Sequence, residues 1–269
     1  MNTVFITGSS SGIGKETAKL FQKKGWNVIA TMRNPVMETE LNKLENIKVL
    51  QCDVTDISSI KNAIETGIQS FGKIDVLVNN AGHYIAGPFE AATDEQIRRQ
   101  IDTNLLGLIY VTKEIIPHFR KQRHGIIVNN SSIAGNISIP LQTLYHAAKW
   151  GVEGFSESLQ YELRQFNIKI KIVQPGVIKT DLWGRNITIT KNDKLTEYDS
   201  YCLKVIKNIM KNADNGSSPE ESARTIYKAA TDNKSKLRYP TGNSKNMVLI
   251  RKVFPVSLFR ILVQKAMEK

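Results

Sequence analysis

Short β-branched apolar runs alternate with longer stretches whose apolar residues recur at helical spacing, from the first residues to about residue 175. That alternation marks successive strand–helix–strand units around a parallel sheet. It predicts strands near residues 3–7, 27–31, 48–52, 74–79, 125–131 and 168–174, with a weaker one near 237–240. Most are unbroken apolar runs, as strands covered on both faces are. A helix over 12–24 takes its apolar contacts from Ala18, Leu20 and Phe21 and stops at Gly25; another over 57–70 has Asp56 as N-cap and Gly72 just past its end. A longer helical stretch over 94–121 starts after Thr93 and is expected to bend or restart at Pro117. Over 142–165, Ala147, Trp150, Val152, Phe155 and Leu159 fall at mixed helical spacing, which predicts burial on more than one side. The expected fold class is α/β: one doubly wound domain over residues 1–269, with a parallel sheet of about seven strands and helices on both faces.

Composition agrees with that reading. The 269 residues are 41% hydrophobic and 23% charged, enough to bury a sizeable core, and no repeat, linker or low-complexity tract divides them. The formal charge of +12 is spread along the chain, with modest concentration near 204–211 and 245–269. This speaks against nucleic acid as a partner; solubility, attraction of anionic phosphates and contact with an anionic membrane surface are the simpler accounts. Met1 leads directly into Val4-Phe5-Ile6, leaving no room for a cleaved export signal, so a cytoplasmic protein is expected. Cys52 and Cys202 have neither redox nor zinc spacing and read as free thiols, and the sequon-like Asn186-Ile187-Thr188 carries no meaning without export. His83, His118, His124 and His146 show no compact metal spacing, so no metal is assigned. The apolar tail from Met247 to Val263 is too broken by charges and Pro255 to span a bilayer. Packing on a substrate pocket or another subunit is favoured for it over a segment resting on a membrane.

Chemistry enters with Thr7-Gly8-Ser9-Ser10-Ser11-Gly12-Ile13-Gly14, a loop between the first strand and the first helix. Glycines at 8, 12 and 14 let backbone N–H groups approach a pyrophosphate, and the helix N-terminus favours its charge. Lys15 does not make a Walker loop, since no GxxxxGK[ST] pattern surrounds it. The second strand ends at Arg33, where such folds meet the adenosine ribose; a cation there points to NADP(H) over NAD(H), although a solvated surface arginine is the competing account. Asp53, ending the third strand, is placed to accept from an adenine amino group or to close a turn.

Tyr145 and Lys149 stand four residues apart on one predicted helix and so share a face. An ordinary phenol titrates near 10, and a neighbouring ammonium is expected to bring it within range of acid–base work. Asn129-Asn130-Ser131-Ser132 and Asn79-Asn80-Ala81-Gly82 end two strands at the sheet edge where open α/β folds bind ligands. His146, beside Tyr145, points to another helix face and reads as structural. His83, after the second of these motifs, touches substrate or merely occupies a loop.

Together these segments resemble the classical short-chain dehydrogenase/reductase family over about residues 3–182. Thr7–Gly14 is similar to its TGxxxGxG loop, Asn79–Gly82 to its NNAG motif, Tyr145–Lys149 to its YxxxK motif and Pro175–Thr180 to its PGxxxT segment. Ser132 lies thirteen residues before Tyr145, the family interval for the catalytic serine, and Asn104 matches the asparagine that supports the lysine through a water. Ala30–Pro35 and the C-terminal pattern resemble the hydroxysteroid and retinol dehydrogenase branch; Ala148 departs from the serine many members carry. The resemblance implies a Rossmann domain with a catalytic set of Asn104, Ser132, Tyr145 and Lys149. It implies nucleotide contacts from Gly8, Ser10, Ser11, Gly12, Ile13, Gly14, Arg33, Asp53, Val54, Asn80, Ala81, Gly82, Tyr145, Lys149, Pro175, Gly176, Ile178 and Thr180. Residues 1–182 would form the cofactor-binding and catalytic core, 183–216 a substrate lid, with Leu182, Trp183, Tyr198 and Tyr201 as lining or as ordinary packing, and 217–269 a C-terminal extension. The expected partners are a small carbonyl or alcohol substrate and further copies of the chain, as a dimer or tetramer. The competing functions are a catalytically silent NADP-binding sensor or scaffold, against which the four catalytic residues stand, and a Rossmann-like methyltransferase, against which stand the YxxxK and PGxxxT segments.

Overall fold

The computed structural model describes residues 1–179, 187–214, 216–242 and 244–268. Strands Thr3–Thr7 (β1) and Asn27–Met32 (β2) are buried on both faces: Val4, Ile6, Val28 and Ala30 meet one layer of helices, and Phe5 and Ile29 meet the other. The chain continues through Gly12–Lys23 (α1, preceding β2), Ile47–Gln51 (β3), Ile57–Phe71 (α2), Val76–Asn79 (β4), Tyr84–Ala86 (β5), Asp94–Ile101 (α3), Gly107–Gln122 (α4), Gly125–Asn130 (β6), Thr143–Leu163 (α5) and Ile168–Pro175 (β7). The last third adds Ile187–Ile189 (β8), Asp199–Asp214 (α6), Pro219–Thr231 (α7), Arg238–Thr241 (β9), Ser244–Val253 (α8) and Val256–Met267 (α9).

Seven strands form one parallel sheet in the order β3-β2-β1-β4-β6-β7-β9. The order reverses between β1 and β4, which opens a crevice at their C-terminal ends. Phe21 of α1 and Ile226 of α7 cover one face; Ile60, Ile115, Phe119 and Leu159, from α2, α4 and α5, cover the other. Helix α2 begins and ends as its sequence predicts. The Asp56 carboxylate accepts from the Ser58 N–H at 2.8 Å, and Gly72 takes the left-handed cap at φ 79°.

Two expectations fail. The stretch 94–121 is interrupted at Asp102–Leu106, where the chain widens into a π-helical turn, while α4 does not restart at Pro117 but continues through it to Gln122. Pro117 is exposed, so water can satisfy the carbonyl its ring leaves unpaired. In α5 the expected contacts Ala147 and Trp150 are exposed, whereas Val152 and Leu159 are buried. Mixed spacing there reflects one broad buried face, not a helix enclosed all round. The short β5–β8 ladder, which pairs Tyr84 with Ile187 in parallel, escapes the sequence pattern because three-residue strands carry no period to read. Helices α6 and α9 pack around a small separate cluster of Leu141, Val205 and Ile209, with Met267 against it.

Candidate active site

A ladder of asparagines ties the C-terminal edge of the sheet together. Register pairs Asn79 with Asn129, and the Asn79 amide donates to Asn129 Oδ1 and Thr112 Oγ1, each at 2.9 Å. Asn80 donates through Nδ2 to the carbonyls of Thr7 and Gly8, while its Oδ1 accepts from Asn130 Nδ2 at 2.9 Å. Thr7 Oγ1 accepts the N–H groups of Asn80 and Ala81. The glycine loop is thus strapped to β4 and β6. Gly8 sits at φ 69°, and a Cβ there would stand 2.7 Å from the Ala81 Cα; a Cβ on Gly14 would stand 2.2 Å from the Gly8 carbonyl oxygen. Ser11, N-cap of α1, uses no side-chain cap bond, so its hydroxyl and the first N–H groups of the helix remain for a ligand.

A cleft of about 760 Å³ runs along this edge. Of the expected nucleotide contacts, Gly8, Ser10, Ser11, Gly12, Ile13, Arg33, Asp53, Val54, Asn80, Ala81, Gly82, Tyr145, Lys149, Pro175, Gly176 and Ile178 line it. Gly14 does not; it lies beneath the loop, where its missing side chain lets the helix close on Gly8. Thr180, Leu182 and Trp183 lie outside the described residues. Tyr198 and Tyr201 are absent from the wall: the Tyr198 hydroxyl donates to Glu90 at 2.9 Å, and Tyr201 packs in the α6–α9 cluster. Asp53 lines the cleft and also closes a turn, accepting from the Thr55 N–H and hydroxyl at 2.9 and 2.7 Å. Cys52 is inert there, since burial pushes its thiol up to about 12.

At the far end Ser132, Tyr145, Lys149 and Asn104 share the wall. Ser132 Oγ accepts from the Ala134 N–H at 3.1 Å and lies 3.5 Å from the Pro175 carbonyl oxygen. The Tyr145 ring stands edge-on to Tyr84, with centroids 5.0 Å apart. Lys149 Nζ donates to the Asn130 carbonyl at 2.8 Å and lies 5.8 Å over the Tyr145 ring centroid. The expectation that this ammonium makes the phenol acidic is not what the geometry yields. Burial raises the Tyr145 phenol and a hydrogen bond with Ser132 draws it back, while burial brings Lys149 down to about 8 against the field of Glu153.

Asn104 sits in the π turn and clamps one residue from both sides: its Oδ1 accepts the His83 N–H at 3.0 Å and its Nδ2 donates to the His83 carbonyl at 2.8 Å. The His83 ring lines the cleft, its Nε2 buried without a partner among the described residues. Burial and the fields of Arg99 and Arg33 hold it down to about 4. His146 shares the cleft wall with Tyr145 instead of turning to another face, but both its ring nitrogens are engaged: Nε2 accepts the Ile139 N–H at 3.0 Å, which leaves Nδ1 to donate to the Ala134 carbonyl at 2.9 Å. Sequence reasoning missed the polar flank formed by Glu95, Arg98, Arg99, Asp102 and Thr103, all on the cleft wall. The four-residue recurrence of Glu95, Arg99 and Thr103 was the available signal, one face of a helix aimed at one place.

The arrangement is that of an α/β protein whose crevice fits a dinucleotide, with a phenol and a lysine amine sharing its far end. The family model for short chain dehydrogenases matches residues 2–189, and the chain belongs to that family. It is 39% identical over 226 residues to a 3-ketodihydrosphingosine reductase of Bacteroides thetaiotaomicron, covering 84% of this chain and 82% of that protein. A solved short-chain dehydrogenase from Streptomyces avermitilis superposes with a TM-score of 0.83 at 28% identity, covering 98% of this chain and 97% of that one. ElxO with NADP bound superposes at 0.73 with 29% identity, covering 89% and 97%. The protein is accordingly an oxidoreductase of the short-chain dehydrogenase type.

Proposed function

We propose that the protein interconverts a carbonyl and a hydroxyl group on an apolar small molecule, using NADP(H) in preference to NAD(H). The observation that carries this reading is one continuous cleft with Arg33 at one end and Ser132, Tyr145 and Lys149 at the other. The residues fit a dinucleotide. The close approaches at Gly8 and Gly14 leave backbone where a pyrophosphate needs it, and the free N-terminus of α1 supplies donors and a favourable field. Arg33, exposed and with no carboxylate within 4 Å among the described residues, would take a 2′-phosphate; NADP is what the solved relative ElxO carries. Asp53 and Val54 would flank the adenine, and Pro175, Gly176 and Ile178 the nicotinamide.

When bound, that cofactor supplies the hydride. The chain supplies the rest. Ser132 Oγ and the Tyr145 phenol hydrogen-bond the substrate oxygen, and Tyr145 gives up its proton there in the reducing direction. Lys149, fixed on the Asn130 carbonyl, would hold the nicotinamide ribose and keep a positive charge beside the tyrosinate left behind. Asn104 is a positioning residue, setting the His83 backbone at the turn out of β4. A cation beside a tyrosinate in a closed, low-dielectric pocket is worth far more than in water, and it would offset part of the cost that burial puts on the tyrosinate.

Tyr145→Phe tests the assignment. It should lower turnover of a ketone and aldehyde panel by roughly 10²–10⁴-fold, followed at the NADPH absorbance band, while NADPH binding measured by fluorescence persists. Near-normal turnover in the variant sinks the acid–base role.

A further inference from the structure

Eight of the eighteen large hydrophobic side chains exposed among the described residues fall between Leu249 and Leu262, in the helical pair α8–α9. Scattered apolar residues are normal on a surface; a contiguous set marks a contact. On α9 the spacing is regular. Phe259 and, at a partly buried position, Val263 turn inward, while Leu258, Ile261 and Leu262 stand outward at i, i+3 and i+4. The connection from α8 adds Val253, Phe254 and Val256, of which Val253 is 68% exposed.

Charge identifies the partner. Residues 244–267 carry five lysines and arginines and no aspartate or glutamate. Arg260 and Lys265 are exposed beside the apolar stripe, and α6, packed against α9, presents Lys204 and Lys207. A second copy meeting this face across a two-fold axis would oppose like charges. A nucleic acid would leave the apolar stripe unburied. None of the described helices is long and apolar enough to cross a membrane, so the remaining fit is a surface both anionic and greasy.

We propose that α8–α9 is a docking platform for an anionic lipid bilayer, lying in the interface with its apolar stripe among the acyl chains and its cations at the phosphates. Helix α8 packs on the 133–135 turn, whose residues Ile133 and Ala134 line the cleft beside Ser132. The platform and the substrate end of the cleft therefore share a wall. Substrate would be drawn from the lipid phase, a step that rests on the proposed carbonyl chemistry; the docking itself does not.

Flotation of the full chain with phosphatidylcholine vesicles, with and without phosphatidylglycerol, tests docking in the absence of any turnover. The protein should float only with the anionic vesicles, and added salt should release it. Arg260→Gln with Lys265→Gln should weaken partitioning by about thirtyfold, from roughly fivefold per neutralised cation. Leu258→Ser with Ile261→Ser and Leu262→Ser should abolish flotation with only a small drop in the thermal melt, since close to half of each residue is already exposed. Three results overturn the proposal: a full chain that stays unbound at low salt, binding that survives both sets of substitutions, or a concentration-dependent dimer that the serine substitutions dissolve without any vesicle binding.

Discussion

Lys149 is 7% exposed and brought down to about 8 from the 10.5 usual for a lysine, so its charge is held at a cost to the fold. Between those two values the unfolded chain binds more protons than the folded one, and stability therefore rises with pH across the window, by about 3 kcal/mol in all. Urea midpoints compared near pH 8 and near pH 10 should show the rise in the parent protein and lose that increment in Lys149→Met. The same titration should limit the proposed activity. If carbonyl reduction runs as proposed, on the phenol proton and the neighbouring ammonium together, the rate should be level near neutrality and fall as pH climbs through about 8. Tyr145, raised by burial, contributes nothing to that limb. A profile flat to pH 10 would remove Lys149 from the mechanism. At the other end of the cleft, Arg33→Asp should reverse cofactor preference by repelling a 2′-phosphate and accepting a 2′-hydroxyl. The ratio of kcat/KM for NADPH over NADH is the measurement, and an unchanged ratio means a merely solvated arginine.

The elements that matter most to the site are its turns. A methyl group on Gly14 would meet the Gly8 carbonyl oxygen at 2.2 Å and Asn80 Nδ2 at 2.5 Å, so Gly14→Ala should force the loop out of place. Nucleotide affinity should drop at least about tenfold, roughly 1.4 kcal/mol, by calorimetry, with the sheet intact. The π turn is a second case. Asn104→Leu strands the buried N–H and C=O of His83, which should destabilise the protein by about 2–4 kcal/mol in denaturant titration. These two turns also show where sequence reading stops. The strands and the caps at Asp56 and Gly72 were legible because apolar runs and capping residues act within a few positions. Asn104 could be matched to a motif, but nothing nearby signals that the helix must widen there: the partner, His83, lies twenty-one residues away. Pro117 misled for the same reason, since only the packed structure shows that it faces solvent. Arg98 and Arg99 were passed over because exposed helical arginines look alike until the fold brings a cleft to them.

Across the whole molecule, apolar packing is unevenly shared. Both faces of the seven-stranded sheet carry extended clusters, whereas α6 and α9 rest on Leu141, Val205, Ile209 and a few partly buried neighbours. Opening this layer exposes far less apolar area than opening the sheet, so it should open first. Amide exchange in Val205–Met210 and Leu258–Met267 should be faster by orders of magnitude than in β1, β4 and β6; comparable protection throughout would mean one cooperative unit. Because so little of the fold depends on that small third cluster, substitutions there should leave the stability of the nucleotide half nearly untouched.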